Sequence, residues 1–256
     1  METSRFTPLP AETASYLLDG LSAEEDWRVV LPYVPGGRRG GALAILALTE
    51  ELANIPARVS EPMLGAIRFQ WWREALEEVF GPAPVRKHPL AQALDAAFAR
   101  TPGLRAPLEA LVDGAETALG AERPSSAGEA VALLLPLYGR SSEALASHLG
   151  GEAEGLGRAA ALHAACRARQ GGGHQGQARQ GRGQPRLADL VSAAEIPDGT
   201  MLEEVRQARQ GLGGLDAALM PAALPFTLAP AYARGRRLSG LAKRWRYFRA
   251  MLTGRL

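Results

Sequence analysis

The chain has 256 residues, with 29 Lys plus Arg against 27 Asp plus Glu and a formal net charge of +2. Its 46% hydrophobic and 22% charged residues exclude a disordered chain and suffice for a real core. Cys166 is the single cysteine, which excludes an intrachain disulfide and a cysteine-based zinc site.

No apolar run approaches the roughly 18 residues of a membrane span. Glu2 stands where a secretory leader needs positive charge, and no apolar stretch follows it, so a cytoplasmic protein is expected. Helical periodicity dominates, and alternating strand patterns rich in Val, Ile and Thr are nearly absent. The spacing predicts an Ala/Leu helix from Gly41 to Leu52 that ends near Ile55, because Pro56 lacks a backbone donor and clashes with the preceding turn. Ser60, followed by Glu61 and Pro62, reads as a cap. The helix it opens has Leu64, Ile67, Trp71, Ala75 and Val79 on one face and stops at Gly81-Pro82.

His88-Pro89 opens another helix through Leu90, Leu94 and Phe98, closed by Thr101-Pro102-Gly103. Pro107 can open the next, with Leu108, Leu111, Ala115 and Leu119 on one side. Glu129 to Tyr138, Glu143 to Leu149 and Glu154 to Arg169 suggest three more. Residues 167–186 (RARQGGGHQGQARQGRGQPR) contain no apolar residue except Ala168 and Ala178, so a flexible Gly/Gln/Arg loop is expected there. Order returns weakly at Leu187 to Ala194 and firmly after Met201. In the last helix Leu238, Leu241, Trp245, Phe248 and Leu252 follow three- and four-residue steps among Arg237, Lys243, Arg244, Arg246 and Arg249. That pattern is a basic amphipathic helix, whose stripe either packs on the bundle or meets a membrane leaflet. Periodic segments joined by short Gly/Pro breaks predict an all-α bundle formed by one domain over residues 1–256.

Charge is unevenly spread. Residues 1–157 carry 13 cations and 21 anions, or −8, whereas residues 158–256 carry 16 and 6, or +10. Only Lys87 and Lys243 are lysines; the other 27 cations are arginines. The C-terminal part therefore offers a surface for an anionic partner.

The segment from Glu50 to Leu76, EELANIPARVSEPMLGAIRFQWWREAL, resembles the squalene/phytoene synthase family. Within that family it is similar to the branch of bacterial relatives of a mitochondrial complex I assembly factor. His88-Pro89 with its Ala/Leu helix, Leu111-Val112-Asp113 and the basic Trp245 helix extend the likeness. The resemblance implies an isoprenoid-synthase bundle around a central cavity. Active members join two prenyl diphosphates head to head, using two aspartate clusters that hold Mg²⁺.

Those clusters are missing. The closest two of the seven aspartates are seven residues apart, so no D-x-x-x-D occurs. The family's acidic positions fall on Ala53, Asn54 and Ala57, and Ala118 stands where an aspartate would accompany Asp113. The second cluster would fall near the Gly/Gln/Arg stretch, where arginines attract diphosphate but cannot bind Mg²⁺. The expected function is that of a catalytically degenerate member acting as an isoprenoid-, lipid- or protein-binding, assembly-type factor without a cofactor. The alternative is a divergent Mg²⁺-dependent prenyltransferase using Glu50, Glu51, Asp113 and Glu116.

Trp71 and Trp72 point different ways on a helix, so one belongs to the core. The other, with Arg68, Gln70 and Arg73, lines the cavity or binds a partner. Arg68 is the strongest functional candidate, since a cation on an apolar face needs an anion or carbonyls. Trp245, Arg246, Phe248 and Arg249 form a candidate membrane or partner surface. Possible partners are therefore an isoprenoid or lipid ligand, a respiratory-complex protein and the inner membrane as a peripheral site. The four histidines include no H-x-x-x-H, and Cys166 at i+3 from His163 reads as a core cysteine. Nucleic-acid binding is disfavoured, because the Gly/Gln/Arg stretch lacks aromatic residues to stack on bases.

Overall fold

A computed structural model describes residues 9–21, 25–117, 119–170, 183–212 and 214–256. The chain is helical, with no strand among these residues. Two helices lie innermost: α3 (Arg39–Asn54) and α9 (Leu156–Arg169). The first is buried without interruption from Gly41 to Glu50, as an Ala/Leu sequence with no polar face requires. The second is lined with Ala159, Ala160, Ala161, Ala165 and Ala168, all buried.

Around them pack α1 (Ala11–Gly20), α2 (Glu25–Val30), α4 (Pro62–Phe80), α5 (Pro89–Phe98) and α6 (Arg105–Glu116). The rest of the bundle is built from α7 (Ala127–Leu134), α8 (Arg140–Leu149), α10 (Leu187–Ser192), α11 (Asp198–Gly211), α12 (Met220–Ala223), α13 (Ala229–Tyr232) and α14 (Gly240–Thr253), with α14 against α2. The short helices at both ends of the chain, α1, α2, α12 and α13, have no counterpart in the sequence reading.

Helix α3 ends on Ile55 before Pro56, as expected. Helix α4 begins at Pro62 with Glu61 as its N-cap, and Ser60 contributes no capping bond. Its inner face also departs from the predicted one. Gly65, Phe69, Trp72, Ala75, Leu76 and Val79 are buried, whereas Leu64, Ile67 and Trp71 are exposed. The larger Phe69, Trp72 and Leu76 take the inner face, and Gly65 lets the helix approach Leu119, whose Cδ2 a Cβ would meet at 2.8 Å.

The two helices expected at 129–149 are one rod. Its first turn is capped by Ser126, whose Oγ accepts from the Glu129 amide at 3.1 Å. Between α7 and α8 the rod widens into a π-turn, Leu135–Gly139. Pro136 removes one donor and crowds the preceding carbonyl, and the wider turn absorbs both without breaking the helix. Gly114 of α6 and Gly157 of α9 lie against this turn, at Pro136 and Gly139 respectively.

Of the expected loop at 167–186, residues 171–182 lie outside the described residues, as does Ala118. The flanks are ordered. Arg167 and Arg169 end α9, and the Gln184 amide donates to the Pro56 carbonyl at 3.0 Å. Composition misled there because the arginines find partners: Arg169 binds Asp198, and Arg186 binds Asp189.

Candidate functional site

A cavity of about 40 Å³ lies between α3 and α9. Leu46, Thr49 and Glu50 line it from α3, and His163, Ala164 and Arg167 from α9; Tyr138 of the π-turn and Trp27 close it. Thr49 Oγ1 and Ser141 Oγ share a hydrogen bond of 2.6 Å across its wall. The volume holds a very few water molecules.

Glu50 is the carboxylate that faces this space. Burial pushes its pKa from 4.5 up to about 7, against the partial pull of the Arg186 charge and a hydrogen bond from Asn54. Arg186 is itself engaged, donating to Asp189 at 2.9 and 2.8 Å and to Asn54 Oδ1 at 3.2 Å. Burial beside Glu50 also raises the Tyr138 phenol well above its ordinary value. The cavity can store a proton near neutral pH.

Beside it lies a charged network that the sequence reading missed. Asp26 of α2 is wholly buried. Its carboxylate accepts from His163 Nε2 at 2.9 Å and from the Tyr232 hydroxyl at 3.0 Å, and pairs with Lys243 Nζ at 2.8 Å and Arg167 Nε at 3.6 Å. Tyr247 donates to the Asp26 backbone carbonyl at 3.3 Å. Burial alone would raise the Asp26 pKa; the hydrogen bonds and charges of His163 and Lys243 overcome it and hold the group below the usual carboxylate range. One signal was available, namely a lysine at 243 in a chain whose cations are otherwise nearly all arginine.

The four carboxylates of the enzyme alternative do not converge. Glu50 faces the cavity and also lines, beside Glu51, a surface groove in which Glu51 pairs with Arg58 at 2.7 Å; Asp113 and Glu116 line neither space. Asp113 and Glu116 share Arg73, at 2.8 and 2.5 Å, on the outer side of α4 and α6. Among the described residues no group of three or more His, Cys, Asp or Glu could hold a metal ion. Mg²⁺ prefers several oxygen ligands in octahedral array, and a lone Glu50 opposite His163 and Arg167 does not fit it.

Arg68 and Gln70 are exposed on α4, and Arg68 has no hydrogen-bond or ion-pair partner among the described residues. Trp72 is the core member of the tryptophan pair, and Trp71 is exposed. Both rings meet His88 edge-on at 5.4 Å, and Arg86 lies 4.4 Å over Trp71 while binding Glu78 at 2.7 and 2.9 Å. The pair thus clamps the 81–88 connection onto α4. Gln70, Trp71 and Arg73 line an open groove of about 490 Å³ with Met63, Ile67 and Glu116, away from the central cavity. Cys166 is buried, and burial pushes its thiol up to about 12. Trp245, Phe248 and Arg249 are exposed on α14, and Arg246 is half-buried there.

The profile of the squalene/phytoene synthase family matches residues 23–238, most of the chain. The helical architecture accords with the isoprenoid-synthase type of fold. No curated protein and no solved structure matches the chain.

Proposed function

The chain belongs to the squalene/phytoene synthase family, and from that premise we propose that it binds a protein partner and does not convert prenyl diphosphates. The observation that carries this reading is the cavity between α3 and α9. About 40 Å³ stands against the several hundred Å³ that pockets for ligands of this size require. The separation of Glu50 and Glu51 from Asp113 and Glu116, with Glu51, Asp113 and Glu116 each bound to an arginine, supports it.

The binding face is the outer side of α4. Met63, Ile67 and Trp71 succeed one another at four-residue steps, exposed, along the groove that Gln70 and Arg73 border. Exposed apolar side chains in a row with polar neighbours suit a partner helix laid into the groove. This segment also carries the resemblance to the complex I assembly branch, so the partner we infer is a respiratory-complex subunit during its assembly.

Two experiments test the proposal. Purified protein with Mg²⁺ and farnesyl or geranylgeranyl diphosphate should release no pyrophosphate above background. Turnover that Asp113→Ala abolishes would instead establish the prenyltransferase alternative. In cells lacking the protein, wild type should restore assembly of the respiratory complex and Ile67→Asp should not, at equal expression. Restoration by the variant would remove the α4 groove from the account.

A further inference from the structure

We propose that α14 docks the protein onto the surface of an anionic lipid bilayer. An amphipathic helix normally turns its apolar stripe inward, and α14 does the reverse. Leu241, Trp245, Phe248 and Leu252 are 78%, 63%, 50% and 74% exposed, while Lys243, Tyr247 and Ala250 are buried. The inversion follows from how the helix is anchored. Lys243 binds Asp26 at 2.8 Å and Glu25 at 2.5 Å, and Tyr247 donates to the Asp26 carbonyl, so the polar anchor occupies the face that an apolar stripe would otherwise take. The helix is capped by Ser239, whose Oγ accepts from the Ala242 amide at 3.3 Å, so the exposed stripe sits on a formed element.

The surroundings say what covers the stripe. From residue 217 to 256 the chain contains no Asp or Glu. Arg234, Arg236, Arg237, Arg244, Arg246, Arg249 and Arg255 have no carboxylate partner among the described residues. At 3.6 residues per turn Arg244 runs along one border of the stripe and Arg249 along the other. Guanidinium groups on both borders can reach lipid phosphates while Trp245 and Phe248, whose rings lie 6.0 Å apart, enter the boundary between headgroups and acyl chains. A second copy of the chain would oppose arginine to arginine across the same face, which disfavours self-association. The attachment is peripheral, because among the described residues no helix is long and apolar enough to cross a membrane.

The test is co-sedimentation of the full chain with vesicles of phosphatidylcholine alone or mixed with phosphatidylglycerol, at low and raised salt. Binding should require phosphatidylglycerol and weaken with salt. Arg244→Gln with Arg249→Gln should lower partitioning roughly 30-fold, at about 1 kcal/mol per arginine near the surface. Trp245→Ser with Phe248→Ser should lower it by at least about tenfold. These side chains are exposed, so circular dichroism and the melting temperature should stay unchanged in both variants. On mixed vesicles the fluorescence of wild type should shift to the blue, and the shift should vanish in Trp245→Phe. Equal binding to both vesicle types, binding untouched by the paired variants, or a stripe buried instead in a dimer or by added RNA would overturn the proposal.

Discussion

Replacing Glu50 by Gln should change how stability depends on pH, and the size of the change follows from the cavity. Glu50 is buried, and the one cation that pulls on its charge, Arg186, already serves Asp189 and Asn54. Its pKa therefore rises from 4.5 to about 7 on folding. A raised folded pKa means that the native state holds the extra proton. The contribution to stability is complete below the unfolded value and is lost as pH climbs through 7. At 1.36 kcal/mol per unit, the penalty reaches about 3 kcal/mol once the carboxylate is ionised, with water in the cavity relieving part of it. Glutamine mimics the protonated acid and never ionises. Thermal melts of both proteins from pH 5 to 8 isolate the effect, because other titrating groups largely cancel in the difference. Glu50→Gln should gain on wild type steadily across this range, by roughly 6–12 °C at 2–4 °C per kcal/mol for a chain of this size. Parallel curves, or a wild type that gains stability with rising pH relative to the variant, would refute the argument.

Asp26→Asn should cost about 3–5 kcal/mol in urea unfolding, because it leaves Lys243 and Arg167 buried without the carboxylate they share. It should also speed hydrogen exchange across α14. Glu25→Gln, at the exposed partner of the same lysine, should cost no more than about 1 kcal/mol by the same measurement. Gly114→Ala should destabilise by about 1–3 kcal/mol or more, since its Cβ would collide with the Pro136 backbone carbonyl in the π-turn. Gly128→Ala, in open space on α7, should be neutral or slightly stabilising and serves as the control.

Much of the bundle was legible because local chemistry decides it. Pro56, Gly81-Pro82 and Thr101-Pro102 end helices wherever they occur, and α3 is apolar enough that only burial accommodates it. The two inverted faces were not legible, for a shared reason. Periodicity identifies a stripe but assumes that the stripe turns inward. On α4 the inner face is taken by Phe69, Trp72 and Leu76 with Gly65 against Leu119, and on α14 by Lys243 and Tyr247 reaching Asp26, more than 200 residues away in the chain. The absence of the aspartate pattern could be read directly, and it pointed to the right question about catalysis. That Arg73 holds both Asp113 and Glu116, and Arg58 holds Glu51, depends on how α4 crosses α6 and how the turn after α3 folds back; spacing does not encode either.

The same arginines bear on what the central space can bind. A bundle that accepts a diphosphate needs cations free to meet it as well as carboxylates to carry metal. Arg167 reaches the cavity but is paired with Asp26, and Arg186 near its rim is held in a two-pronged bond by Asp189. Their charge is answered inside the protein, so the interior offers an incoming anion little net attraction. The space itself is narrow because Trp27, Tyr138, His163 and Arg167 reach into it between closely packed helices. A Cβ on Gly139 would lie 2.8 Å from the Gly157 carbonyl oxygen, and alanines face the cavity from α9 at 160, 164 and 168. Reopening it would require moving α9 as a whole, along with Asp26, His163 and every helix that their bonds join. The surplus positive charge that remains unanswered lies instead on the outside, around α14, where an anion can reach it without disturbing the core.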